Sequence, residues 1–386
     1  MILGLPGYGQ LSSAMAVAAI AMAFCEYGHS ASLGSKIVAH SLARRDNASA
    51  VIYSMVTYQK IILLTVATGL IFSWANWSVQ GYFLNGWLLI ILISCVVAPE
   101  AITPAWYYIG TGRLTRLLVY QLIGRAVAFV IACWLAYKKI LITTADAALL
   151  CGVPFLVASL LSNNYLWRTV KPKLASFNSI KMLTDMVRQA PYFLGAFSSS
   201  ITPSIFILLV ATYFSKETLG QYAIAGVAWS ALRQLSQLGS NIYLSSRQWQ
   251  PSEKIHNLVV KASGLGIFCS FLTVFLIWLI DIFLSKNNLV SIPIDYSFAL
   301  NYLFVLSFSV IFYSINFSIG LYIFCANNKR IKFTLTQALP MFTLVLLSFF
   351  WKDLKPFDIA VFMGVAELFG LLMALFIVRD NTTKVS

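Results

Sequence analysis

Five ionisable residues, Lys60, Glu100, Arg125, Arg233 and Glu367, stand inside stretches that are otherwise apolar. A charge at the centre of a bilayer costs about 2.5–3.5 kcal/mol even on the lenient insertion scale, so a lipid-facing position is disfavoured. These side chains are expected to point into a bundle interior or a watery cavity. Two kinds of chemistry are open to them. One is structural ion pairing, for instance Arg125 with Glu100. The other is recognition: Arg233, Arg125 and Lys60 as cationic contacts for an anionic cargo, with Glu100 and Glu367 exchanging protons or binding a cation. The long stem of Lys60 would also let its ammonium reach back to the membrane surface. Glu100 lies between Pro99 and Pro104. Each proline removes a backbone donor and clashes with the preceding turn, so a break is expected there. Such a break either lines a cavity or simply shapes the helix.

Other chemistry has no footing in the sequence. Cys25, Cys95, Cys133, Cys151, Cys269 and Cys325 are scattered singly, and His29, His40 and His256 have no ligand-like spacing, so no metal site is expected. No glycine-rich phosphate loop is present, and no cluster of acids or histidines suited to acid–base work occupies a connecting segment. Neither a catalytic residue nor a cofactor is expected, and the chain is not read as an enzyme.

The elements that must carry the five charges are membrane spans. Hydrophobic residues make up 59% of the 386 positions and charged residues 10%, against about a quarter charged in a soluble domain. Apolar segments near 8–25, 53–73, 84–108, 117–137, 146–166, 191–213, 219–244, 260–281, 296–324, 333–351 and 357–378 give eleven spans. The net charge of +14 does not indicate nucleic acid, because its placement alternates. Eighteen of the 27 basic residues fall in every second connection and in the tail, and six in the opposite ones. The richer side is expected to be cytoplasmic, with the C-terminus on it. The segment Ala31 to Ala43 has helical apolar spacing suited to the inner membrane surface.

Leu219 to Gly239 has a degenerate copy 211 positions earlier: Gly9 falls on Gly220, Gln10 on Gln221, Ala14 on Ala225, Glu26 on Gln237 and Gly28 on Gly239. The same offset superposes the hydrophobic segments that follow, so the chain reads as two related halves. A full span precedes the second copy, whereas eight residues precede Gly9. A first helix is therefore expected to be absent from the first half. The expected organisation is an N-terminal lobe of five helices over 1–167, a cytoplasmic linker over 168–190 and a C-terminal lobe of six helices over 191–386. The small residues of SSAMAVAAIAMA suit an inner, closely packed helix.

Three stretches carry a family resemblance: GYGQLSSAMAVAAIAMAFCEYGHSASLGSKIVAH, TPAWYYIGTGRL and ETLGQYAIAGVAWSALRQL. Together they resemble the polysaccharide transporters of the MATE/MOP flippase superfamily, in particular O-antigen (Wzx-type) flippases. The resemblance implies an all-α integral membrane protein, a two-lobed transmembrane helix bundle of about 11 helices, that is, a 12-helix MOP fold lacking its first helix. It implies a multi-pass protein of the bacterial inner membrane that moves an undecaprenyl-pyrophosphate-linked oligosaccharide, the unit of a lipopolysaccharide or related surface polymer, by alternating access. Its partners would be that cargo, membrane lipids, a polysaccharide polymerase and a chain-length regulator. On this reading Arg233, Arg125 and Lys60 meet the pyrophosphate. Trp106, Tyr107 and Tyr108 either stack on sugars or, as favoured here, anchor a helix at the interface.

Two other classes compete. A multidrug cation antiporter of the same superfamily would need acids facing an organic cation, and the interior charges lean basic. An integral-membrane glycan polymerase or ligase would be expected to carry a large external loop, whereas the longest external connection, around 282–295, has about fourteen residues.

Overall fold

The computed structural model describes residues 4–27, 46–77, 86–111, 113–138, 143–170, 179–246, 264, 268, 271–272, 275, 296–320, 324, 329–351 and 354–383. Among these residues every regular element is helical. In order they are α1 (Gly4–Glu26), α2 (Asp46–Trp77), α3 (Gly86–Leu92), a π-helical turn (Ile93–Val97), α4 (Ala98–Ile102), α5 (Ala105–Gly110), α6 (Leu114–Tyr137), α7 (Thr144–Val170), α8 (Ser179–Tyr213), α9 (Lys216–Ser246), α10 (Tyr296–Ile319), α11 (Arg330–Phe350) and α12 (Pro356–Thr383). Helices are the form a chain must take in hydrocarbon, because every backbone group is then satisfied within its own segment.

Nine of the described helical stretches are long and apolar enough to cross a bilayer, and the chain is a multi-pass membrane protein. Of the other two expected spans, 219–244 is helical as α9 but more polar than the nine. Its polar residues have a reason: Arg233 and Ser236 are buried against protein, not lipid. The segment 260–281 lies largely outside the described residues, as does 31–43.

The chain divides into two compact units, Met1–Ser204 and Ile205–Ser386, with α8 running across the division. In the first unit α1 packs on α2, on α3 with its π turn, and on α7, while α6 packs on α7 and α5. The small side chains make this possible: Ser13, Ala14, Ala16, Ala18 and Ala21 on α1 are all buried. In the second unit α9 packs on α10, α10 on α12 and α11 on α12. The offset of 211 carries the start of α1 to 215, of α3 to 297 and of α7 to 355, each one position from the start of α9, α10 or α12. The neighbour relations repeat as well: α1 with α3 matches α9 with α10, and α6 with α7 matches α11 with α12.

Prolines shape both units. In the third span the backbone of Ala98 donates to Ile93, the wide turn that precedes Pro99. At Thr103 the chain becomes extended (ψ 123°), its N–H bonds Pro99 and Glu100 carbonyls at 3.0 and 3.1 Å, and helix resumes at Ala105. In α11, Pro340 cannot donate to the carbonyl of Thr336 four residues back. Asn316 of α10 supplies the lost bond, its Nδ2 donating to that carbonyl at 3.2 Å. Gly370 of α12 lets this corner close: a Cβ there would lie 2.6 Å from Pro340 Cγ and 2.9 Å from Asn316 Nδ2.

Candidate functional site

The first-unit site forms where α1 ends, α2 begins its apolar stretch and the third span breaks. Lys60 on α2 is 4% exposed, and its Nζ donates to Glu26 Oε2 at 3.0 Å and to the Thr103 carbonyl at 3.4 Å. That carbonyl is available because the chain leaves the helix there. Glu26, 34% exposed, is the last residue of α1. Tyr27 follows in the left-handed region (φ 47°), its ring stacked on Phe193 at 4.4 Å and its hydroxyl donating to the Met186 carbonyl at 3.3 Å. Burial raises the Tyr27 phenol above its ordinary pKa. Half-buried Glu100 lies within the field of both Lys60 and Glu26. The cluster thus gathers two carboxylates about one ammonium beside Pro99 and Pro104.

Two expectations for this region need correction. Lys60 does not run back alone to the membrane surface; it is buried and ties α1 to the broken span. Trp106, Tyr107 and Tyr108 are neither interface anchors nor sugar platforms. All three are buried, packed with Leu114, Leu117 and Leu166 from α6 and α7, and the Tyr108 hydroxyl donates to the Ser162 carbonyl at 2.9 Å. The break turns these rings inward, which their position near a span end did not reveal.

Arg125 has a different setting. Gly124 seats α6 on α7 so closely that a Cβ would lie 2.6 Å from the Pro154 carbonyl oxygen. The next residue around the helix, about 100° away, is Arg125, and it is exposed. Leu122 and Phe129, three before and four after it, are 62% and 69% exposed. The pair with Glu100, one of the two roles open to Arg125 in the sequence, does not form. Among the described residues no hydrogen bond or ion pair is made by Arg125.

The second-unit site is an enclosed ion pair. Arg233 Nη1 donates to Glu367 Oε1 at 2.6 Å, with the two side chains 5% and 2% exposed. The guanidinium lies 3.7 Å from the ring centre of Tyr313 and 5.0 Å from that of Trp229. Trp229 Nε1 donates to Ser309 Oγ at 2.8 Å, and Ser236 and Ser314 share a hydroxyl bond at 2.5 Å. Arg233 and Glu367 are therefore ion-pair partners enclosed among α9, α10 and α12. Removing one member of such a pair would leave a buried charge at a cost of about 3–5 kcal/mol. Trp229 was legible as the residue one helical turn before Arg233. Tyr313, Ser309 and Glu26 were not, because nothing in the sequence says which helix faces which.

Among the described residues no group of acids, cysteines or histidines could hold a metal. No protein-family model matches the sequence, and neither does any curated protein. Solved structures do match over nearly the whole chain. A multidrug resistance MATE family transporter of the MOP superfamily, inward-facing, has a TM-score of 0.60 at 14% identity, covering 99% of this chain and 92% of that one. An outward-facing multidrug resistance MATE family transporter of the MOP superfamily has a TM-score of 0.54 at 14% identity, covering 97% and 85%. The lipid II flippase MurJ, inward closed, has a TM-score of 0.63 at 15% identity, covering 98% and 85%. The chain has the all-helical fold of MATE/MOP-type transporters.

Proposed function

We propose that this protein is a flippase that moves an undecaprenyl-pyrophosphate-linked oligosaccharide across a bacterial inner membrane by alternating access. The fold it shares with a lipid II flippase and with multidrug transporters supports a transporter of one or the other kind. The observation that carries the choice is Arg125: a cation midway along a span, turned outward between Leu122 and Phe129, with no carboxylate among the described residues. In hydrocarbon such a charge demands an anion or water. A pyrophosphate in transit supplies the anion, whereas a cationic drug would be repelled. The paired cations, Lys60 and Arg233, then brace the two lobes and do not grip cargo in this conformation. No covalent step is required.

A multidrug antiporter remains as a second reading, supported by the two carboxylates around Lys60. In the flippase reading the same acids would couple transport to an ion gradient. Deleting the gene and locating the accumulated lipid intermediate tests the proposal. Single glycan units held on the cytoplasmic side agree with a flippase. Flipped but unpolymerised units would indicate a polymerase or ligase, and normal polysaccharide with heightened drug sensitivity would indicate an antiporter.

A further inference from the structure

Between α2 and the break in the third span lies a recess of about 40 Å³, lined by Lys60, Ile61, Leu64, Ile102, Pro104 and Trp106 among others. Its volume is room for roughly three waters, or for a few linked heavy atoms. Apart from Lys60 and the hydroxyl-bearing Thr57, the walls are largely apolar. The rim carries Ile61 and Ile102, 49% and 46% exposed, and the exposed face of α2 continues through Val66 and Leu70. A rim of this kind on a membrane span meets acyl chains.

Lys60 defines the head of whatever enters. An ammonium has three donors, and among the described residues two are directed, one to Glu26 and one, at a long 3.4 Å, to Thr103. The third has no protein acceptor there. An anion is disfavoured, because Glu26 already pairs with the ammonium at 3.0 Å. The acceptor that fits is neutral and sits at the end of an apolar chain. Depth agrees: Lys60 Nζ meets the last residue of α1, where hydrocarbon gives way to the interfacial region.

We propose that this recess holds the acyl-ester end of a membrane glycerolipid, its carbonyl accepting from Lys60 and its first methylenes lying against Ile61, Leu64 and Ile102. The inference does not depend on what the protein carries. Native mass spectrometry of the detergent-purified full chain, titrated with a diester phospholipid and with the diether lipid of the same head group and chains, tests it. A bond to a charged donor predicts about tenfold tighter retention of the diester. Ile102→Trp, which fills the mouth and leaves the ion pair intact, should abolish retention, and Lys60→Met should make the two lipids equivalent. Equal retention of both lipids by the wild type, or unchanged retention by Ile102→Trp, would overturn the proposal. So would stronger competition from a polyprenyl phosphate than from the diester, which would make the recess a cargo subsite.

Discussion

The two buried ion pairs differ in how much they depend on their partners. Arg233 and Glu367 are both enclosed, so Arg233→Met or Glu367→Gln alone leaves one uncompensated charge, and each should destabilise the protein by about 3–5 kcal/mol. Thermal unfolding in detergent should show the double variant Arg233→Met, Glu367→Met closer to wild type than either single one. Additive losses would mean that the two residues act separately. Glu26 is a third exposed, and Glu26→Gln should cost less, because its side chain already reaches water and the glutamine carbonyl can still accept from Lys60. At this scale the sequence announced which residues were costly but not how each was satisfied. Lys60, Arg233 and Glu367 stood out as charges in apolar runs. Their partners depend on contacts between helices 34 and 134 positions apart, which no local spacing encodes. For Arg125 the sequence left open a pair with Glu100 or a contact with cargo. Arg125 faces outward because Gly124 must face Pro154, a packing demand visible only in three dimensions.

Proline removes a backbone donor from helices in this chain, and the repair at Pro340 makes a clean test. Asn316 donates to the Thr336 carbonyl that Pro340 leaves unpaired. Asn316→Leu should destabilise by about 1–3 kcal/mol, the cost of a buried carbonyl without a donor. In a Pro340→Ala background, position 340 regains its N–H and the same substitution should cost clearly less. Equal costs in the two backgrounds, measured by thermal unfolding, would show that Asn316 acts through packing alone. Gly370→Ala should also lower stability, since its Cβ has no space between Pro340 and Asn316. Apolar runs located most helices to within a few residues, and Pro99 with Pro104 located the break. The sequence was silent on the π turn before Pro99 and on the inward turn of Trp106 to Tyr108. The inward turn follows from how α6 and α7 close over the three rings, and those neighbours are set by tertiary packing.

On the scale of the whole chain, the repeat offset of 211 places the starts of α1, α3 and α7 on those of α9, α10 and α12, and several of the touching pairs recur. The two halves differ in their polar interiors. The first keeps a broken span with two carboxylates about Lys60, and the second an unbroken α10 bearing Ser309, Ser314 and Asn316 beside the Arg233–Glu367 pair. Ion coupling, where it operates, is expected at the first. Glu100→Gln should lower gradient-driven transport while leaving transport without a gradient unchanged; equal rates for wild type and variant under both conditions would remove Glu100 from coupling. The central claim is that an outward-facing Arg125 meets the pyrophosphate of a lipid-linked glycan. It is tested most directly in proteoliposomes, by following translocation of a polyprenyl-pyrophosphate-linked oligosaccharide by wild type, Arg125→Lys and Arg125→Gln. Loss of a charge-assisted contact predicts a fall of about tenfold or more for Arg125→Gln, with substantial activity kept by Arg125→Lys. Undiminished translocation by Arg125→Gln, or none by the wild type, would contradict it.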